Sequence, residues 1–437
     1  MKPATLIAFI LLMLGVEVMT QTPQELAELW EKEHVSKKSP SDVRHADLKL
    51  ALQSLKQQGI KIDEVGRSGA GREIYQMEFG RGLLKIFMWS QMHGDEPTAT
   101  SGLLDMFAIL QKNRSLPWVR KISESITLRA IPMLNPDGAD AYTRRNLQNI
   151  DINRDALALE TPEARLLKKL RDDWNPSIGF NLHNQQELTT AGRTSRQAAI
   201  SLLVVYGDEV KTTTPGHERN TRLASSIVTA LNAFIPGHIG KYSDEWSPSA
   251  FGDNFSAWGT PTLLIETGAL AGKDERFLVK MNFIAFVTAL NALASGSETT
   301  ASMALYESLP NNVSGNLAHF VFRRAGTPPA AAELPKPPVD IVAVRERRRS
   351  QFVAPVKIRS LSSASTVAGL EEYDASAFYI VCRYGQLRPG NFAEFSFYRK
   401  DRAVDFMSND LEKSYPPDAI FSTGKWIKGK GVVPQIR

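Results

Sequence analysis

The chain has 437 residues, of which 43% are apolar and 23% charged, with a formal net charge of +5. That is the balance of an ordinary globular protein, and its basic residues are spread along the chain, not gathered into a nucleic-acid-binding stripe. A single cysteine, Cys382, excludes any intramolecular disulfide, so the fold must rest on its core alone.

The length leaves room for one large domain of about 250–300 residues and a smaller unit. Met1-Lys2 followed by the apolar run from Leu6 to Leu14 reads as a secretory signal over residues 1–20, so a secreted or periplasmic protein is expected. The run is broken by Glu17 and is short for a membrane span, and no stable span is expected once the signal is removed. Residues 21–58 are polar and helix-prone, with Leu48, Leu52 and Leu55 at helical spacing. Only a short helix-prone segment separates the signal from the main domain, so no further processing is expected.

From residue 83 onward, short apolar strands alternate with amphipathic helices. The pattern predicts strands at 84–90, 126–133, 177–182, 200–206 and 261–266, and helices at 97–112, 162–172, 220–234 and 275–294. Such alternation argues for an α/β fold with helices on both faces of a sheet. After Ser295 the pattern changes. Pro328-Pro329 and Pro335-Lys336-Pro337-Pro338 mark a linker over 301–340, and a β-rich accessory unit is expected over 341–437. The run Arg345 to Arg349, broken by Glu346, reads as a solvated linker face. Cys382 sits in the strand-like run 377–382 and reads as a buried small apolar residue. The tail is taken as an accessory without chemistry of its own.

Chemistry-bearing residues fall at or just beyond strand ends, where open α/β sheets place their ligands. His93-Gly94-Asp95-Glu96 follows the apolar run 83–89, setting an imidazole and a carboxylate three residues apart where a buried strand opens into a loop. Asn135-Pro136-Asp137-Gly138 ends the next strand and has turn chemistry, with Pro presetting φ. Arg144-Arg145-Asn146 and Asp151-Ile152-Asn153-Arg154 follow. Asn181-Leu182-His183 and Leu264-Ile265-Glu266-Thr267-Gly268 stand at two further strand ends.

In that order these segments resemble the zinc metallocarboxypeptidase family, the relatives of carboxypeptidase A, over roughly residues 45 to 295. The resemblance implies a mixed eight-stranded-type sheet flanked by helices over residues 21–300. It implies one zinc per chain, held by His93, Glu96 and His183, with a fourth position open. Asp151 matches the position whose carboxylate fixes the tautomer of the first ligand histidine. Glu266 matches the general base, and Arg144 the arginine that stabilises the oxyanion. Asn153 and Arg154 match the clamp for a free terminal carboxylate, which an arginine fork binds bidentately. Arg145, adjacent to Arg144, and Tyr242, in Lys241-Tyr242-Ser243-Asp244, complete the expected substrate-binding set.

Side-chain preference would be set in Phe251-Gly252-Asp253-Asn254-Phe255. Phe251 or Phe255 would make an apolar pocket, and Asp253 a pocket for Lys or Arg. His34, His45, His217, His238 and His319 are read as solvated or neighbour-satisfied. The expected substrate is a peptide or protein C-terminus. The alternatives are a cell-wall peptide or N-acyl amino acid hydrolase of the same fold, and a non-catalytic protein that reads peptide C-termini.

Overall fold

The computed structural model describes residues 21–329 and 337–437. The signal expected over 1–20 and part of the proline-rich linker lie outside them.

The central sheet uses β1 (Lys61–Arg67), β2 (Glu73–Gly80), β3 (Leu84–Ser90), β4 (Ile126–Ile131), β5 (Ile178–Asn184), β7 (Ile200–Val204), β8 (Ile239–Lys241) and β9 (Thr262–Thr267). The short β6 (Thr190–Ala191) lies outside it. The eight strands are ordered β1-β2-β4-β3-β5-β9-β7-β8. The inner strands β4, β3, β5 and β9 run parallel to one another, whereas β2 and β7 run antiparallel to their inner neighbours. Parallel strands covered on both faces need continuous apolar runs, and β5 and β9 are buried at every position. Because the four inner strands share a direction, His93, Asn135, His183 and Glu266 all emerge at one edge of the sheet.

Helices Thr98–Lys112 and Glu275–Ser295 pack together beneath one sheet face. Glu275–Ser295 is long and apolar enough to cross a membrane, but most of it is buried in this core. Its ends are set locally. Asp274 accepts from the Phe277 N–H at 2.9 Å, and Gly296 ends the helix at φ 76°. The 21–58 segment forms helices Pro23–Glu33 and His45–Gln57, and Leu48, Leu52 and Leu55 are buried as the spacing predicted. The helix expected from 220 starts at Pro215, because Thr214 caps it through the His217 N–H. Strands β1 and β2 were not anticipated. Lys61–Arg67 is mostly polar, being an exposed edge strand without an apolar run to read.

The C-terminal part holds two four-stranded sheets. One has the order β13-β12-β11-β14, made of β11 (Leu317–Ala325), β12 (Val339–Arg345), β13 (Val356–Ser362) and β14 (Ala368–Asp374). The other has the order β15-β16-β17-β18, made of β15 (Phe378–Cys382), β16 (Phe395–Arg399), β17 (Ala419–Ser422) and β18 (Lys425–Lys428). Edge-to-face aromatic pairs join them, with Phe322 5.4 Å from Phe395 and 5.1 Å from Phe421. The short β10 (Asn312–Val313) pairs with β6 near the cleft. The β-rich character expected for the tail is present, but its boundary is earlier than expected. Leu317–Ala325, inside the stretch read as linker, is a nine-residue strand at the centre of the first sheet. The flanking prolines outweighed its apolar run in the sequence reading.

Candidate metal centre and cleft

The H-x-x-E turn depends on one close approach. A Cβ on Gly94 would lie 1.9 Å from the carbonyl carbon of Gly138, so only glycine lets the 91–96 loop rest on the Asn135 turn. That turn is capped by Asn135, whose Oδ1 accepts from the Gly138 N–H at 2.8 Å. Asp137 takes no part in the cleft. It accepts from Ser68 Oγ, the Ala70 N–H and Arg72 and anchors the 68–72 turn.

The loop brings His93, Glu96 and His183 together, with one donor atom of each within 4.8 Å of the others and all three buried. His93 Nδ1 is 2.9 Å from Glu96 Oε1 and 3.2 Å from His183 Nδ1, and His183 Nδ1 is 2.7 Å from Glu96 Oε2. Donor atoms this close suit a single small cation with ligand distances of about 2.0–2.1 Å. Two buried imidazole nitrogens facing each other need a shared cation or proton, so the residues present fit a zinc ion. The outer nitrogen of His93 is committed elsewhere. Its Nε2 donates to Asp151 Oδ1 at 3.0 Å, which leaves the Nδ1 lone pair for the cluster. Asp151 also accepts from the Asn153 N–H at 2.9 Å and from Arg144 Nε at 2.9 Å.

Charge reinforces this geometry. Burial opposes the charged forms throughout, but Glu96 and Asp151 hold the His93 imidazole up at about 9. Despite its burial, Glu96 is held well below the usual carboxylate range by the two histidines. Asp151 is likewise held low by His93 and Arg144. Burial pushes His183 down. Glu266 is different. It is displaced upward by its burial and by the Glu96 charge, and its Oε2 is buried without a hydrogen-bond partner.

His93, Glu96, His183 and Glu266 face one cleft of about 1200 Å³. Arg144 reaches in, donating from Nη1 to His93 Nδ1 at 3.1 Å and to Glu96 Oε1 at 3.3 Å. Asn153, Arg154 and Tyr242 also line it. Asn153 Oδ1 accepts from the Phe251 N–H at 2.9 Å, tying the 151–154 segment to the helix Phe251–Ala257. Arg145 is not brought in. Its Nη1 donates to the Asn149 carbonyl at 2.9 Å on the exposed outer side of the loop, so of the adjacent pair only Arg144 lines the cleft.

The pocket alternatives separate as clearly. Phe251 and Phe255 are fully buried and stack among Phe87, Trp89 and Trp258 in a core cluster, so neither lines the cleft. Asp253 does line it, as do Leu203, Val205 and Leu264. Burial raises its carboxyl to about 6, while the Ser247 N–H and Arg154 pull the other way.

The tail reaches the cleft. Val344, Arg345, Arg347 and Arg359 of the accessory unit line the cleft, as does His319, whose Nε2 is 3.5 Å from Glu187. Within the Arg345 to Arg349 run, Arg345, Arg347 and Arg348 are exposed as a solvated face would be, but Arg349 is a buried contact with the 21–300 unit. Arg349 is 5% exposed and donates to the Ser41, Ala139 and Asp140 carbonyls at 2.7, 2.6 and 2.9 Å. The available signal was the alternation at a strand end, which puts Arg345, Arg347 and Arg349 on one side. Cys382 is half-buried and packs beside the accessory core, where burial raises its thiol to about 11.

Residues 50–205 match the zinc carboxypeptidase family. The chain is 31% identical over 111 residues to a probable carboxypeptidase 2 of Trichophyton verrucosum, covering 25% of this chain and 20% of that protein. It is 31% identical over 110 residues to carboxypeptidase 2 of Trichophyton rubrum, covering 25% and 19%. The chain thus spans about a fifth of the length of the curated relatives it matches. A metallo-carboxypeptidase structure from Burkholderia cenocepacia overlaps 59% of this chain and 70% of its own, with TM-score 0.46 and 16% identity. Residues 50–205 are thus similar to the zinc carboxypeptidase family, and the His93, Glu96 and His183 cluster lies inside that segment.

Proposed function

We propose that the protein is a zinc-dependent carboxypeptidase that removes single residues from peptide C-termini, with a preference for a basic terminal residue. The observation that carries this reading is Glu266, a buried carboxylate with an unpartnered oxygen in the same cleft as the His93, Glu96 and His183 cluster. When bound by that cluster, zinc would supply Lewis acidity toward a peptide carbonyl and an attacking water.

The chain's own residues supply the rest. Glu266, its proton affinity raised by burial, takes the proton as the water oxygen bonds to the carbonyl carbon, and returns it to the amine as the C–N bond breaks. Arg144 sits against the cluster and offers N–H donors to the oxygen that gains charge. Asp151 holds both His93 and Arg144 in place through its two oxygens. Arg154 and Asn153 hold the terminal carboxylate, and Tyr242 closes that side of the cleft. Asp253 offers a carboxylate in the cleft that Leu203, Val205 and Leu264 also line, a pocket suited to the stem and head of Lys or Arg. Export to the periplasm or beyond is part of the same reading, on the strength of the apolar run behind Met1-Lys2.

The test is a pair of otherwise identical peptides with free and amidated C-termini. Hydrolysis of the free form alone is expected, and equal cleavage of the amide would remove the role given to Arg154 and Asn153.

A further inference from the structure

The cleft has two flanks. Asn153, Arg154, Tyr242 and Asp253 form the flank that receives the terminal residue. The accessory unit contributes a second part of the lining, through Arg345, Arg347, Arg359 and His319, and Arg347 there stands near Asp95 and Glu187.

From the end of β12 the side chains alternate: Arg345 and Arg347 line the cleft, whereas Glu346 and Arg348 do not. Glu346 turns outward, pairing with Arg348 at 3.1 Å and Lys357 at 2.5 Å. Arg349 is stitched into the catalytic unit, and Arg345 lies over the Phe320 ring at 5.4 Å. Arg347 stands between these anchors, over the Tyr142 ring at 5.9 Å. Arg359 is held by the Leu317 and Gly315 carbonyls at 2.9 and 3.2 Å. Asp95 and Glu187 both stand close enough to act on Arg347, so two carboxylates face the three guanidiniums of this flank. Glu187 has His319 as its neighbour, and Asp95 Oδ1 is buried with no hydrogen-bond partner. The flank therefore carries fixed guanidinium charge in surplus, supplied by a unit outside the matched catalytic segment.

We propose that Arg347, supported by Arg345 and Arg359, is a specificity-determining residue that binds a carboxylate on the acyl side of the scissile bond, so that acidic peptides are the favoured substrates. This rests on the carboxypeptidase reading, in which the upstream part of the substrate leaves along the flank that the accessory unit lines. A planar guanidinium fixed at the cleft wall favours a carboxylate over its isosteric amide by charge and by fork geometry.

The experiment uses the zinc-loaded full chain and N-acetylated tetrapeptides ending in the same Lys, with Glu or Gln placed one, two or three residues before it. The wild-type protein is expected to prefer Glu at one of these positions by about tenfold in kcat/KM, carried by KM. In Arg347→Ala that ratio falls to within about twofold of unity, and in Arg347→Lys it is partly restored. It is unchanged in the outward-facing Arg348→Ala, and it shrinks with added salt in the wild type. Equal rates for Glu and Gln at every position, or a ratio that survives Arg347→Ala, overturns the proposal. If wild type cleaves neither peptide, the carboxypeptidase reading fails instead. Fluorescence polarisation of labelled Glu and Gln peptides then decides the flank separately. Tighter Glu binding that is lost in Arg347→Ala supports it, and equal binding refutes it.

Discussion

Asp253→Asn tests the pocket most sharply because it keeps shape and removes charge. Asp253 lines the same cleft as Leu203, Val205 and Leu264, and burial has already raised its carboxyl to about 6. A Lys or Arg side chain entering that pocket meets a carboxylate with little water left to compete for it. Truncating one partner of a buried, hydrogen-bonded charge pair costs about 2–5 kcal/mol. At about 1.4 kcal/mol per decade, that is a loss of roughly 30-fold to several thousandfold. The assay is kcat/KM for two peptides differing only in a terminal Lys or Leu. The Lys peptide should lose at least about 30-fold, while the Leu peptide is unchanged or gains, since the neutral amide no longer imposes a charge on an apolar guest. The pH profile has a defined sign. The empty pocket is charged above about 6 and neutral below it, so preference for Lys over Leu should decline as pH falls through about 6 in the wild type. In Asp253→Asn the ratio should be flat across that range. Equal loss for both peptides would place Asp253 in the architecture of the cleft and not in recognition.

Further outcomes follow from the same geometry. Glu266→Gln should lower turnover by about 10²–10⁴-fold with zinc still bound, whereas His183→Ala should lose both, as read by metal analysis and peptide assay; near-normal rates in Glu266→Gln would remove the base assignment. Gly94→Ala drives a Cβ to 1.9 Å from the Gly138 carbonyl carbon, so the ligand loop must shift. Zinc stoichiometry should fall well below one per chain and Tm should drop, and full zinc occupancy would contradict that packing argument. Arg349→Ala removes a buried guanidinium from three backbone carbonyls, and a destabilisation of about 2–4 kcal/mol is expected by denaturant titration. An unchanged midpoint would mean that the two units are not held together there.

How far these features could be read in advance depended on physical type. The inner strands announced themselves because a parallel strand covered on both faces needs an unbroken apolar run, as in β3, β5 and β9. The cluster was legible because its members stand at the ends of those runs. Edge strands β1 and β8 were not, since one is largely solvated and the other is three residues long. The choice between Arg144 and Arg145 turned on one residue of register in a loop, which periodicity does not resolve. Phe251 and Phe255 look as suited to a pocket as Asp253 until the helix Phe251–Ala257 turns both phenylalanines into the core. The largest miss was Arg347. A charge run beside prolines is usually solvated, and only tertiary packing brings this one to the cleft.

The most direct test of the central claim is mass spectrometry of a mixed peptide set incubated with the purified chain, with and without a zinc chelator. The account predicts stepwise loss of single C-terminal residues, Lys and Arg first, abolished by the chelator and restored by added zinc. Intact peptides with zinc confirmed bound, or cleavage that persists in the chelator, would contradict it.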